Sequence, residues 1–312
     1  MGKKATREAY GEALKKLADV NPDIVVLDAD LSGSTKTAEF KKVCPNRFCN
    51  VGIAEQNLIG TAAGTAIAGK IPFASTFAMF AAGRAFEIIR NTVAYPELNV
   101  KIAATHAGLT VGEDGASHQA IEDLSLMRSI PNMTVINPAD SIEAEQAVIK
   151  AAEYVGPVYI RLGRSAVEDI YDENYEFEIG KGVKLRDGND VTIIATGLMV
   201  QKSLKAAEIL EQEGISARVI NIHTLKPIDR NIIINCAKET GAIVTAEEHS
   251  VVGGLGSAVL EVLSDECPVP VSMIGVKDMF GESGKPDELL EKYGLTEENI
   301  SQGCKKVIKL KK

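Results

Sequence analysis

VGIAEQNLIGTAAGTAIAGKIPFASTFAMF, residues 51–80, sets a helical stretch rich in small residues directly before a short β-rich run, IPFAST, and its reading decides the fold. Gly60 and Gly64 cost helix propensity, but their lack of a side chain lets a neighbouring helix or subunit come close. Outward from this stretch, β-rich runs alternate with helical segments from Arg7 to Arg164: IVVLDAD (24–30), RFCNVG (47–52), VKIAATH (100–106), MTVINP (133–138) and PVYIRL (157–162). Between the last two lies SIEAEQAVIKAAEYV (141–155), apolar at helical spacing behind an Asp140-Ser141 capping signal. Such alternation implies a parallel sheet covered by helices on both faces, with ligands at the carboxyl ends of its strands.

The rhythm breaks at VEDIYDENYEFEIGKGVKLRDGND (167–190), an acidic, turn-rich stretch that reads as a linker. It resumes with VTIIATG (191–197), ARVINIHTL (217–225), GAIVTAEE (241–248) and PVSMIGV (270–276), and a helix from Met199 ends at a capping Gly214. The expected fold is α/β, with two doubly wound domains of mainly parallel sheet. Residues 1–170 form the first, 171–190 the linker and 191–312 the second.

With 312 residues, 45% hydrophobic and 25% charged, the chain has the composition of a folded two-domain protein. A net charge of -9 argues against nucleic acid, which demands clustered Lys and Arg. Cys44, Cys49, Cys236, Cys267 and Cys304 are scattered and form no CxxC pair, which fits a reducing cytoplasm. No apolar run reaches membrane-spanning length, and no hydrophobic signal-peptide core follows the start, so no membrane partner is expected. GGLGSAV from Gly253 partly imitates a dinucleotide fingerprint, but Val259 stands where a third glycine or alanine belongs.

Three stretches carry a family likeness: VGIAEQN, FASTFAMF and THAGLTVGEDGASHQ (105–119) resemble the transketolase pyrimidine domain. ATREAYGEAL (5–14), DADLSGS (28–34) and RLGR (161–164) extend the resemblance, and the second domain is similar to the transketolase C-terminal domain. The resemblance implies a thiamine-diphosphate enzyme that moves a two-carbon ketol unit reversibly from a ketose phosphate to an aldose phosphate. It makes Glu55 the carboxyl group that hydrogen-bonds the cofactor's aminopyrimidine and favours its imino tautomer; an apolar pocket would keep that carboxyl protonated. On its own, a glutamate in a first helical turn reads more readily as a helix-start residue placed against the macrodipole.

By the same likeness Phe80 stacks on the pyrimidine with Phe77 beside it, and Asp30 lines the thiazolium region. Gly83 stands where many relatives have a further aromatic. His106 and Asp114 would contact sugar hydroxyls, His118 would act near the ketose carbonyl, and Arg7, Ser34 and Arg164 would anchor the sugar phosphate, with Arg161 as a competing choice. Glu55 and His118 are thus the catalytic candidates, and no metal ligand is expected on this chain.

Transketolases hold the cofactor's diphosphate and its Mg²⁺, or another divalent ion, on a separate domain with a GDG motif, and no GDG occurs here. The resemblance therefore implies an N-terminal transketolase subunit as partner, in a heterotetramer. Rival readings are a deoxyxylulose-phosphate synthase half, which typically has arginine in place of His106, a dehydrogenase E1 β-type subunit, and a non-catalytic regulatory paralogue.

Overall fold

Continuous apolar runs such as VTIIA and KIAAT become strands buried along their whole length, as parallel strands covered on both faces must be. The computed structural model describes residues 2–311. Its strands are β1 (Lys3–Ala5), β2 (Ile24–Asp28), β3 (Phe48–Asn50), β4 (Ile71–Phe77), β5 (Lys101–Thr105), β6 (Thr134–Ile136), β7 (Val158–Arg161), β8 (Ala166–Glu168), β9 (Val183–Arg186), β10 (Val191–Ala195), β11 (Ala217–Asn221), β12 (Thr224–Lys226), β13 (Ile243–Ser250) and β14 (Val271–Val276). The first sheet has the order β12-β6-β7-β5-β4-β2-β3 and the second β14-β13-β10-β11-β9, each parallel apart from one edge strand. The α/β class with two mainly parallel sheets is as the sequence implied.

Side chains alternate across β4, so Phe73 packs with Tyr10, Leu14 and Val148 on one face while Ala74 joins Leu58, Ile59 and Ile102 on the other. The latter core runs on without a break to Ile194 and Ile220 of the second sheet and to Val259 of the helix Leu255–Glu266. Asp140 caps the helix Ser141–Glu153 by accepting from Glu143 N at 2.8 Å, as its capping signal implied. Gly214, at φ +78°, ends the helix Met199–Gln212 in the left-handed region that glycine adopts freely.

The boundaries between the two halves are less clean than the sequence suggests. The stretch read as a linker contains β9, which pairs with β11 in the second sheet, and begins within β8, which pairs with β1. β12 leaves the second half to extend the first sheet beside β6. The segment between is also pinned: Tyr175 Oη donates to Glu143 Oε1 at 2.6 Å, and Asn221 Nδ2 of β11 donates to the same carboxyl group at 2.9 Å. Burial pushes the Glu143 carboxyl up to about 7. Among the described residues, no helix is long and apolar enough to cross a membrane.

Candidate active site

Four neighbouring parallel strands, β7, β5, β4 and β2, deliver four of the expected site residues from one edge of the first sheet, and helix starts and the following loop supply the rest. The chain leaves β2 for β3 on one side and returns to β4 on the other, so β2 and β4 flank the point where the winding reverses. Open parallel sheets form ligand crevices at such a point. Phe77 ends β4, His106 follows β5, Arg164 lies beyond β7, and Asp30 follows β2.

Glu55 opens the helix Glu55–Ile67 and is only 2% exposed. The dry apolar surroundings expected for it are interrupted by a cation: Arg84 Nη1 donates to Glu55 Oε2 at 2.7 Å. The Arg84 guanidinium also lies over the Phe80 ring, 4.6 Å from its centroid. Phe80 to Arg84 forms a wide π-helical turn, with Ala85 N donating to Phe80 O, and this brings the side chains at its two ends together. Arg84 belongs to none of the motifs that mark the site in the sequence, although four residues after Phe80 is a spacing that places two side chains on one helical face.

Phe77 lies nearly parallel to Phe80, centroids 5.9 Å apart, and stacks on His106 at 3.8 Å. His118 meets the Phe80 edge at 5.3 Å. These rings form one continuous wall. His106 is buried at φ +56°, and Arg7 Nη1 donates to its Nε2 at 3.1 Å. A guanidinium has no lone pair to offer, so Nε2 must be the acceptor and the ring proton sits on Nδ1, which donates to Thr105 Oγ1 at 2.9 Å. Burial first, then the charges of Arg7 and Arg164, lower the His106 pKa to about 3. The ring is therefore a neutral hydrogen-bonding surface.

Arg7 reaches the backbone carbonyl of Ser34 at 2.9 Å, so this contact uses the Ser34 main chain and leaves its hydroxyl out. Arg7 Nε is buried without a partner. Arg164 donates to Val111 O and to Glu113 Oε2, the latter at 3.2 Å on an exposed carboxylate. Arg161, the competing choice, is sealed in the interior: it pairs with Asp123 at 2.9 Å and donates to Ala120 O and Glu248 O. Asp114 is exposed.

Asp30 is exposed, at φ +65°, and accepts from Asn50 Nδ2 at 2.9 Å. The buried carboxylate of this loop is Asp28, which takes bonds from Leu31 N, Thr35 Oγ1 and Thr37 Oγ1 and so fixes the loop. Desolvation raises its pKa. The DAD run shows both acids, but only the fold says which one points inward.

The second sheet braces the histidine loop. Glu248 of β13 accepts from Thr110 N at 2.6 Å, Gln119 Nε2 donates to Glu282 O, and Ser283 Oγ donates to Glu113 O. A Cβ on Gly108 would stand 2.3 Å from the Glu248 carboxyl carbon, so only glycine fits there. His249 is buried, donating from Nδ1 to Ser250 O and accepting from Ser125 N, a packing role. In GGLGSAV the helix start at Leu255 is already taken by the chain's own anion, Glu247, which accepts from Leu255 N and Gly256 N. Among the described residues, no group of three or more His, Cys, Asp or Glu is placed to hold a metal ion.

The buried carboxyl beside a flat aromatic wall fits an aminopyrimidine ring, which needs one hydrogen-bond partner at N1′ and apolar faces. Comparison with known proteins points the same way. Residues 2–169 match the family described as Transketolase, pyrimidine binding domain, and residues 180–300 that described as Transketolase, C-terminal domain. The chain is 56% identical over 302 residues to the Methanocaldococcus jannaschii protein named for a transketolase C-terminal section, covering 96% of this chain and 95% of that one. It is 46% identical over 305 residues to a Clostridium protein named 6-deoxy-6-sulfo-D-fructose transketolase subunit SqwH, covering 98% and 95%. A solved split-gene transketolase, an inactive beta4 tetramer, superposes with a TM-score of 0.94 at 61% identity, over 99% of this chain and 100% of that one.

Proposed function

The chain belongs to the transketolase family, and from that membership we propose that it is the pyrimidine-binding and C-terminal subunit of a split transketolase, active only with a partner chain. The observation that carries the reading is Glu55: a carboxyl group 2% exposed, at a helix start, beside the Phe77–Phe80 wall. When bound, thiamine diphosphate supplies an electron sink that lets a two-carbon ketol fragment leave one sugar and join another.

The residues of this chain prepare that chemistry. Glu55 shares a proton with the pyrimidine N1′, and Phe80, with Phe77 beside it, stacks on the ring and excludes water. His106, neutral, offers hydrogen bonds to sugar hydroxyls, while His118, edge-on to Phe80, serves the proton at the ketose oxygen. Arg164 holds the far phosphate. Its exposed bond to Glu113 is weak enough to exchange for a substrate anion. Arg7 both orients His106 and adds positive charge to the same mouth, and Asp114 and the Ser34 hydroxyl lie free to meet polar groups of the sugar. Asp30 flanks the cofactor on the β2 side.

The cofactor's diphosphate and its divalent ion, Mg²⁺ in the simplest case, rest on the partner in this reading, which the naming of similar proteins of the same length as transketolase sections or subunits supports. The enzyme is cytoplasmic and serves pentose phosphate interconversion in this reading. Supplied with thiamine diphosphate and Mg²⁺, the purified chain is expected to show no ketol transfer, and adding the chain that co-purifies with it from native extract is expected to restore turnover. Robust turnover by a verified preparation of this chain alone would overturn the split-enzyme reading.

A further inference from the structure

Two groups expected to receive the cofactor's ring are both engaged by one side chain. Arg84 Nη1 sits 2.7 Å from Glu55 Oε2, and its guanidinium carbon lies 4.6 Å from the Phe80 centroid. A guanidinium is flat, donates N–H to a carboxylate and stacks on aromatic faces, the three properties an aminopyrimidine ring would present to the same partners. No other hydrogen bond holds the guanidinium: among the described residues, Gln56 Nε2 donates to the Arg84 backbone carbonyl at 3.3 Å, but the Arg84 side chain bonds only to Glu55, and the Glu55 carboxyl group takes none from any other donor.

We propose that Arg84 is an internal stand-in for the cofactor's aminopyrimidine, holding Glu55 and covering Phe80 in the cofactor-free chain and withdrawing when the ring enters. The proposal rests on the reading of Glu55 and Phe80 as the pyrimidine's partners.

The surroundings suit a side chain that must leave. Glu55 is 2% exposed but the Arg84 side chain is 49% exposed, so its exit is toward water. Gly83 stands in place of a further aromatic, and a side chain there would meet only Met79 Sδ, 3.6 Å away, apart from its chain neighbours. The pairing also gives the cation a function, because a buried carboxylate without a partner is costly. Cofactor binding is then an exchange, in which one planar donor replaces another. Affinity is lowered by whatever the resident contact contributes.

The test is Arg84→Met, which keeps an unbranched chain of similar reach without charge, with Arg90→Met on the same exposed segment as the control for lost charge alone. Two quantities are measured: calorimetric affinity of the reconstituted complex for thiamine diphosphate with Mg²⁺, and the melting temperature of the cofactor-free chain. An exposed cation–π contact together with a half-exposed ion pair corresponds to about 3-fold to 30-fold in a binding constant. The proposal expects Arg84→Met to bind cofactor tighter by that factor while the cofactor-free chain melts lower, and Arg90→Met to change neither. A side chain that merely supported the fold would lower both. If Arg84→Met does not assemble, Arg84→Lys, which keeps charge but loses the flat face, is expected to tighten binding to a smaller extent. Unchanged or weaker cofactor binding in an intact complex overturns the proposal alone. A wild-type complex that binds no cofactor overturns the cofactor reading and the proposal with it.

Discussion

His106→Asn should remove a defined part of the protein's acid sensitivity. Asparagine is the suitable replacement because position 106 sits at φ +56°, in a left-handed region that asparagine tolerates, and its amide can still accept from Arg7. In the folded chain the imidazole titrates at about 3, because it is buried and faces Arg7 and Arg164. In the unfolded chain it titrates at its ordinary value of about 6.5. A folded pKa below the unfolded one means that between these values the unfolded state binds the proton and the folded state refuses it. The stabilisation is complete above pH 6.5 and is lost as the pH falls toward 3. Between pH 7 and pH 5 the difference amounts to about 2 kcal/mol for this single group.

The assay is urea denaturation at several pH values and constant ionic strength, with wild type and variant run in parallel. His223, also held at about 3 by burial, is common to both and cancels in the comparison. The stability of His106→Asn should fall less steeply on acidification by that amount, and an NMR titration should show the wild-type His106 ring still neutral at pH 5. Parallel pH curves for the two proteins would refute the account of a desolvated, cation-flanked imidazole.

Two further perturbations separate anchoring from architecture. Arg164→Ala should cost the fold under about 1 kcal/mol, since its carboxylate partner is exposed. Removing a charged hydrogen bond should weaken phosphorylated sugars by about 1.5–3 kcal/mol, and equal loss for unphosphorylated ones would take Arg164 out of the anchor. Arg161→Met, by contrast, leaves the fully buried Asp123 without its cation and should destabilise the chain by about 3–5 kcal/mol, read from urea denaturation.

The first sheet could be read from the sequence because its central strands are buried apolar runs and the helix Ser141–Glu153 carries a local cap in Asp140. What the sequence hid depends on distant partners. β12 is three residues, Thr224–Lys226, that gain their structure only by pairing with β6 far away, and β9 lies within an acidic stretch whose pairing with β11 has no local signal. Arg161 and Arg164 look alike as candidates in RLGR, and only the position of Asp123 assigns the first to the interior. Asp28 and Asp30 differ in the same way. Motif likeness picked out Glu55, Phe77, Phe80, His106 and His118, and the fold brings them to one strand edge and one wall. Arg84 escaped notice because its meaning depends on the π-helical turn that folds it back onto Phe80.

The central claim is that Glu55 activates the cofactor, and the most direct measurement is exchange of the cofactor's C2 proton in the reconstituted complex, before any sugar is present. Glu55→Gln is nearly isosteric and should leave folding and partner association intact, yet an amide cannot pass a proton to N1′ as a carboxyl group does. With the cofactor saturated, the account predicts that Glu55→Gln slows C2 exchange by at least about 100-fold, while Glu12→Gln, on an exposed face of the first helix, leaves it unchanged. Exchange in Glu55→Gln at the wild-type rate would contradict the catalytic assignment and leave Glu55 as a buried helix-start carboxylate paired with Arg84.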